Sequence, residues 1–393
     1  MRLLQALFFP PEQPGGVSSM IPYLQERFSS ARWEMELFSL PKRIRNKGKD
    51  DVVFETFDWT IYGESPIVQK YIQTYRDYRW WAKLRLTKPY DLIHSHHPLV
   101  GLVMREVFPH TPIIQTIHSS YERELILNGK IQAGSSEQQF LISLYRELEL
   151  KTDRLMTVSQ SFKSYLAPYV EHAERIIVLP NGFDEKRFKP IPHENEVPQL
   201  MTVCRLVPAK GLDTLLKACA ILKQHGHAYV LHIIGDGPSR TELENMAREL
   251  GIYEDTIFYG YTLHPEEFMP FFDIFVLPSR AEAFGSVFAE AALCWLALVG
   301  TDVGGIAEQI EDGVNGLLVP PDHEQLLAEA LEKVIADPAY RYELARTGWE
   351  KAKTHYSLGH VVNELKKLYL EFVPEQPMTR MTDMAAPQLE GET

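Results

Sequence analysis

The stretch "SRAEAFGSVFAEAA", residues 279–292, sets Glu282 and Glu290 eight positions apart around a Phe-Gly pair. A run that reads as a buried strand, "DIFVLPS", precedes it, and the pattern predicts a helix from about Gly285. Glu282 then falls on a strand-to-helix loop and Glu290 inside the helix. Five helical residues advance roughly 7.5 Å, about the scale that separates the sugar from the ribose in a nucleotide diphosphate-sugar. A carboxylate accepts two hydrogen bonds from vicinal hydroxyls, so one acid suits a ribose diol and the other a hexose. The backbone amides of Phe284, Gly285 and Ser286 would face a diphosphate between them. The spacing by itself is equally met by a loop acid and an exposed helix acid.

"VCRLVPAKG" adds Arg205 and Lys210 on a second loop at a strand's carboxyl end, the same rim as Glu282. Two cations there could neutralise charge growing on a departing diphosphate, the part a divalent metal plays elsewhere. No D-x-D occurs in the chain, so a metal has no obvious carboxylate seat, and no metal or other cofactor is expected. "PPEQPGG" supplies Gly15 and Gly16, where backbone could approach a phosphate or sugar closely. "HSHH" and "TIHSS" place histidines at strand ends; His94 and His96 read as structural and His118 as the exception. Zinc lacks the remaining ligands.

Such loops need sheets to hold them. A chain of 393 residues is long for one core, so two domains are expected, and 45% hydrophobic with 24% charged residues is a globular composition. Forty Lys and Arg against 53 Asp and Glu leave a formal charge of −13, which argues against a nonspecific grip on nucleic acid or an anionic membrane. Cys204, Cys219 and Cys294 show no C-x-x-C spacing and suit a reduced, cytoplasmic compartment. The opening "MRLLQALFFPPEQPGG" reads as a first strand and not a secretion signal, and no apolar stretch reaches bilayer length.

Short apolar runs alternate with helical patterns throughout. "RLLQALFF", "WEMELFSL", "DLIHSHH", "PIIQTIHS", "RLMTVSQ" and "RIIVLPNG" read as strands of one half; "QLMTVCRL", "YVLHIIGDG", "TIFYGY", "IFVLPS", "LALVGTDV" and "GLLVPP" as strands of the other. The helix in "SRTELENMARELG" carries a capping-box pattern, Ser239 with Glu242. Alternation in both halves predicts an α/β protein of two doubly wound, Rossmann-like parallel sheets facing an interdomain cleft. The expected division is 1–183, a linker at 184–198, 199–356, a helix at 357–373 packing back on the first domain, and a disordered tail at 374–393.

Taken together, "PGG", "TIH", "NGFDEKRF", "CRLVPAKG", "GDGP", "FYGY" and "PSRAEAFGSVFAEAALC…GTDVGGIAEQIEDGVNGLLV" resemble the retaining GT-B glycosyltransferases of family GT4 over roughly residues 2 to 372. The resemblance implies a nucleotide-sugar donor on the second domain, a small polar acceptor mainly on the first, and closure over both. It implies Glu290 on the ribose, Glu282 on the donor hexose, Arg205 and Lys210 on the diphosphate, and the Phe284 to Ser286 amides on sugar and phosphates. Gly16 would meet the diphosphate from the opposite wall, and His118 would lie near the reacting carbon and the 6-hydroxyl. His97, Tyr121 and Glu122 are assigned to the acceptor. Cys204 departs from the family, which commonly has Gly before the Arg, and Ser286 stands where Leu is more frequent. "HSSYERELILNGK" and "LFFPPEQPGGVSSMIPYLQERF" are similar to bacterial 2-deoxystreptamine N-acetylglucosaminyltransferases, which implies UDP-N-acetylglucosamine as donor and a diamino-cyclitol as acceptor.

Two rivals stand beside this reading. The basic, aromatic stretches "PKRIRNKGK" and "YRDYRWWAKLRLTK" fit a membrane-lipid or phosphorylated acceptor, or else a solvated helix face with its rings turned inward. The same scaffold could also serve a nucleotide-sugar isomerase or a binding protein, which would not need Arg205 and Lys210 beside both acids.

Overall fold

The computed structural model describes residues 1–8, 16–28, 33–41, 62, 65–262 and 264–373. Gly15, the basic stretch after Pro41 and the tail from Pro374 lie outside the described residues.

Among these, each apolar run named above forms a strand. The first sheet holds β1 (Arg2–Ala6), β2 (Glu34–Phe38), β3 (Leu92–Ser95), β4 (Ile113–Ile117), β5 (Arg154–Thr157) and β6 (Ile177–Val178), in the order β2-β1-β3-β4-β5-β6. The second holds β7 (Gln199–Val203), β8 (Val230–Ile234), β9 (Thr256–Gly260), β10 (Ile274–Leu277), β11 (Ala297–Thr301) and β12 (Leu317–Val319), in the order β12-β11-β10-β7-β8-β9. Neighbouring strands pair in parallel, for example Leu3 with Leu92 and Ile274 with Leu200. Parallel neighbours require crossovers, and helices on both faces bury the central strands, so β4 and β10 are buried at every position.

The strand order turns around at β1/β3 in one sheet and at β7/β10 in the other. A crevice opens beyond the carboxyl ends of strands at such switch points, because successive connections leave in opposite directions. The loops that carry Arg205 and Lys210 (after β7) and Glu282 (after β10) therefore flank one crevice, and Ser119 and Ser120, after β4, line it from the first sheet.

The helix Leu358–Phe372 returns to the first sheet. Its Val361, Val362, Leu365, Leu368 and Tyr369 pack with Leu3, Ile21, Leu24, Phe28 and Ile114 in one buried cluster. Phe183 and Tyr356 mark the two crossings between lobes, where Phe183 N–H donates to Tyr356 O and Leu358 N–H to Phe183 O.

The predicted capping box does not form. Ser239 takes a helical conformation (φ −83°, ψ −1°) with no side-chain cap, because its N–H is drawn to Leu206 O at 3.0 Å. In the helix Pro66–Arg85, Tyr75 and Tyr78 turn into the core, Trp81 donates to Ser39 O, and Arg79 pairs with Glu106. Its rings thus serve mainly packing, with Trp80 exposed. No described helix is long and apolar enough to cross a membrane.

Candidate functional site

At the carboxyl end of β7 the chain turns through a short 3-10 segment, Pro208–Lys210, into the helix Leu212–Gln224. The turn closes on Gly211, at φ +66°, where a Cβ would sit 2.0 Å from Pro278 O. Only glycine allows that approach, and it presses the β7 loop against the β10 loop. Arg280 staples the same two loops: its N–H donates to Ala209 O, and its guanidinium reaches Pro208 O, Asp213 and, at 2.7 Å, Asp322.

The staple leaves Lys210 and Glu282 in direct ion-pair contact. Burial would lower the Lys210 ammonium, but the adjacent Glu282 carboxylate overrides it and holds the amine above its ordinary range. Ser279 Oγ also donates to Glu282, at 2.9 Å. The acid and the cation expected on one rim are thus a single pair, each neutralising the other. Arg205 extends further out and pairs with Glu124 of the first lobe.

Phe284, Gly285 and Ser286 form the turn into the helix Ser286–Leu293. Gly285 is its N-cap, left-handed at φ +82°, with no side chain capping the first turn. Phe284 is clamped by Phe183, with rings stacked 6.3 Å apart, and by the edge of Tyr356. Gln309 donates to Phe284 O and Gly285 O, which ties the turn to the helix Ile306–Gln309.

Glu290 opens on the other side of this turn. It lines a pocket with Tyr23, Gly182, Arg187 and Glu266. Burial, with Glu266 nearby and only partly offset by Arg187, pushes its carboxyl up to about 7. Arg187 pairs with Glu266 and lies 4.8 Å over the Tyr23 ring. A second pocket holds Ser119, Ser120, Arg123 and Glu124 against Lys210, Glu282 and Gly304.

Both pockets are small, about 50 and 70 Å³, because the lobes touch at the turn between them. Ser159 Oγ donates to Ala283 O at 2.5 Å, and Asn181 Nδ2 to Ser286 Oγ at 3.2 Å. Glu308 receives Gln160 N–H at 2.9 Å and Ser161 N–H at 2.5 Å, so a carboxylate of one lobe caps a helix of the other. Glu308→Ala is expected to let the lobes part; small-angle scattering should show a larger radius of gyration, and an unchanged radius would remove Glu308 as a clamp.

Of the residues assigned to the first lobe, His118 stands at the end of β4 and bonds His96 at 3.0 Å. Gly16 begins the helix Gly16–Phe28. His97 caps the helix Pro98–Val107, accepting from Leu99 N–H, and stacks 4.1 Å from Phe8. Tyr121 is 41% exposed. Glu122 is a correction: it is fully buried, and both oxygens accept from phenols, Tyr145 and Tyr165, at 2.7 Å. Those bonds are why it points inward, so it offers nothing to an acceptor in this structure; Glu124 reaches the crevice instead.

Arg280, Gln309, Glu308, Asn181 and Arg187 escaped the sequence reading. The motifs "PSRAEAFG", "GGIAEQI" and "NGFDEKRF" contain them, but their partners lie on distant segments.

The family described as glycosyl transferases group 1 matches residues 183–351, and glycosyltransferase family 4 matches residues 14–187. The chain is 33% identical to an alpha-D-kanosaminyltransferase of Streptomyces kanamyceticus over 178 residues, 44% of this chain and 46% of that relative. It is thus matched over less than half that relative's length. A D-inositol 3-phosphate glycosyltransferase 1 of Catenulispora acidiphila is 29% identical over 73% of each chain. In fold, the chain is similar to sucrose-phosphate synthase from Thermosynechococcus elongatus (TM-score 0.77, 20% identity, 94% of this chain and 99% of that one). HepE from Anabaena, solved with UDP-glucose, is also similar (TM-score 0.71, 19% identity, 94% and 100%).

Proposed function

The chain belongs to the family GT4 glycosyltransferases of GT-B fold, and from that premise we propose retaining, metal-independent transfer of a hexose from UDP-N-acetylglucosamine to a hydroxyl of 2-deoxystreptamine or a similar small polar acceptor. The observation that carries this reading is the Lys210–Glu282 pair beside the Phe284–Ser286 turn. A donor entering there would take Lys210 onto its diphosphate and leave Glu282 to accept from hexose hydroxyls. Arg205 would add a second cation, the turn's amides would complete the anion site, and Gly16 would face it from the first lobe.

The carbon–oxygen bond to the diphosphate breaks as the acceptor hydroxyl bonds the same face of the sugar carbon. The acceptor's proton passes to the departing phosphate oxygen. No protein nucleophile is needed; the protein supplies orientation and charge stabilisation. Pockets of 50 and 70 Å³ are far below the ~300–1,000 Å³ of usual small-molecule sites, so the lobes part to admit substrates and close to react. The relatives named for kanosaminyl transfer and for inositol phosphate glycosylation support small acceptors, and the UDP-glucose complex of HepE supports a uridine nucleotide. Tyr121 and His97 remain acceptor candidates, and Glu124, which pairs with Arg205 at the crevice, takes the place of Glu122.

Incubation with UDP-N-acetylglucosamine and a panel of amino-cyclitols, followed by detection of UDP and mass spectrometry of products, tests the reading. Release that requires acceptor, persists in a chelator and gives the α-linked product is expected. UDP release without acceptor dependence would sink it, and selective activity on lipid acceptors in vesicles would redirect it.

Glu290 yields a further expectation. Its ionised form accepts from both ribose hydroxyls, and with a carboxyl pushed up to about 7 that form is lost as pH falls. UDP affinity should therefore rise with pH up to about neutrality and level off above, approaching tenfold per unit on the acid side. Calorimetry checks this, and Glu290→Gln should flatten the profile.

A further inference from the structure

Two ion pairs set the charges of the crevice against one another. Lys210 pairs with Glu282, and Arg205 reaches across the lobes to Glu124, on the helix Tyr121–Leu127. Glu124, Lys210 and Glu282 line the same pocket. Arg123 lines it too, but its guanidinium lies 5.9 Å over the Tyr165 ring, and neighbouring positions on a helix do not face each other, so Arg205 is the counter-charge of Glu124. Tyr121 shares this corner: burial and the Glu124 carboxylate push its phenol up, and Arg205 offsets part of the rise. At the end of the same helix Asn128 Oδ1 accepts from Ala209 N–H at 3.1 Å, which seats the β7 loop, and Arg205 with it, against the first lobe.

The two pairs are not held equally. Lys210 and Glu282 are largely buried, whereas the Arg205 side chain is 62% exposed and that of Glu124 is 26% exposed. An exposed pair is weak and yields to a stronger partner. A diphosphate, with its negative charges and several acceptor oxygens, is that partner for a guanidinium. In the proposed reaction the donor takes both cations. Glu282 then accepts from sugar hydroxyls, but Glu124 is left partly buried and without a counter-charge, on the wall that faces the donor from the first lobe. A neutral acceptor leaves that carboxylate uncompensated as the lobes close, and an ammonium group does not. Arg205 itself shows that a cation fits there.

We infer that Glu124 is a cation subsite for the acceptor that the donor itself uncovers: the diphosphate draws Arg205 away, and an ammonium group of an aminocyclitol or amino sugar takes its place. Glu124 thereby selects amine-bearing acceptors, and the two substrates bind cooperatively. The withdrawal of Arg205 rests on the proposed donor site.

Calorimetry on the full chain with UDP and 2-deoxystreptamine tests this without turnover. UDP should tighten 2-deoxystreptamine roughly tenfold, within the 5–150-fold range of coupled sites, and by linkage 2-deoxystreptamine should tighten UDP by the same factor. scyllo-Inositol, a neutral ring of similar size, should show no such coupling. Glu124→Gln should remove the coupling while UDP alone binds at least as tightly as in wild type, since Arg205 then has no partner to leave. Equal 2-deoxystreptamine affinity with and without UDP, equal coupling with scyllo-inositol, or coupling that survives in Glu124→Gln overturns the subsite, while UDP binding leaves the donor site standing. A wild-type chain that does not bind UDP overturns both.

Discussion

Lys210→Ala is expected to lower kcat by about 10²–10³-fold, the cost typical of removing one preorganised group that meets charge developing in the transition state. In the proposed reaction its ammonium, which pairs with Glu282, would meet the charge that a departing diphosphate gains. The substitution also strands Glu282, whose side chain is 14% exposed, and an uncompensated, largely buried carboxylate lowers stability. The double variant Lys210→Ala, Glu282→Ala separates the two effects. It should recover melting temperature relative to the single variant while activity stays low. Recovery of activity in the double variant, or a kcat within a few-fold of wild type in the single one, would remove Lys210 from the reaction. Glu290→Ala should act on donor binding more than on kcat, and equal effects on both parameters at both sites would count against these separate roles.

Gly304→Ala is expected to be the second most damaging change, although Gly304 touches no substrate in the proposed reaction. Gly304 is left-handed at φ +51°, and an added Cβ would lie 1.8 Å from Glu282 O and 3.0 Å from its carbonyl carbon. Neither the backbone conformation nor the contact tolerates a side chain, so the 280–284 loop must move. Strain of this kind costs about 1–3 kcal/mol, and a misplacement of about 1 Å in a catalytic group can cost ~10²-fold in rate. Thermal melting and steady-state kinetics should therefore fall together, in contrast to the double variant at Lys210 and Glu282. Wild-type kinetics in Gly304→Ala would show that the loop's exact seat against Gly304 is irrelevant to Glu282.

What local sequence determines is visible in the strands. "PIIQTIHS" and "IFVLPS" are short, rich in β-branched and apolar residues and bounded by turn residues, the pattern of a buried parallel strand, and both are buried throughout. Given parallel strands, the rim follows: a residue just past a strand's carboxyl end faces the crevice, so Arg205, Lys210 and Glu282 could be placed there without knowing what they touch. Gly285 at φ +82° likewise sits where "FG" marked the passage from loop to helix.

Packing between distant segments decided the rest. Glu122 has the type and neighbourhood of an acceptor ligand, yet Tyr145 and Tyr165 draw both its oxygens into the core. Ser239 has a capping-box spacing, yet Leu206 O takes its N–H and holds it helical. Glu308, in the short helix Ile306–Gln309, becomes a cap on the opposite lobe. Gln5 finds its partner in Tyr369, 364 residues away on the returning helix. Burial, periodicity and turn chemistry act over a few residues and can be read along a chain. A hydrogen bond or ion pair between segments takes its partner from whichever surface the fold brings within about 3 Å, and no local pattern encodes that choice.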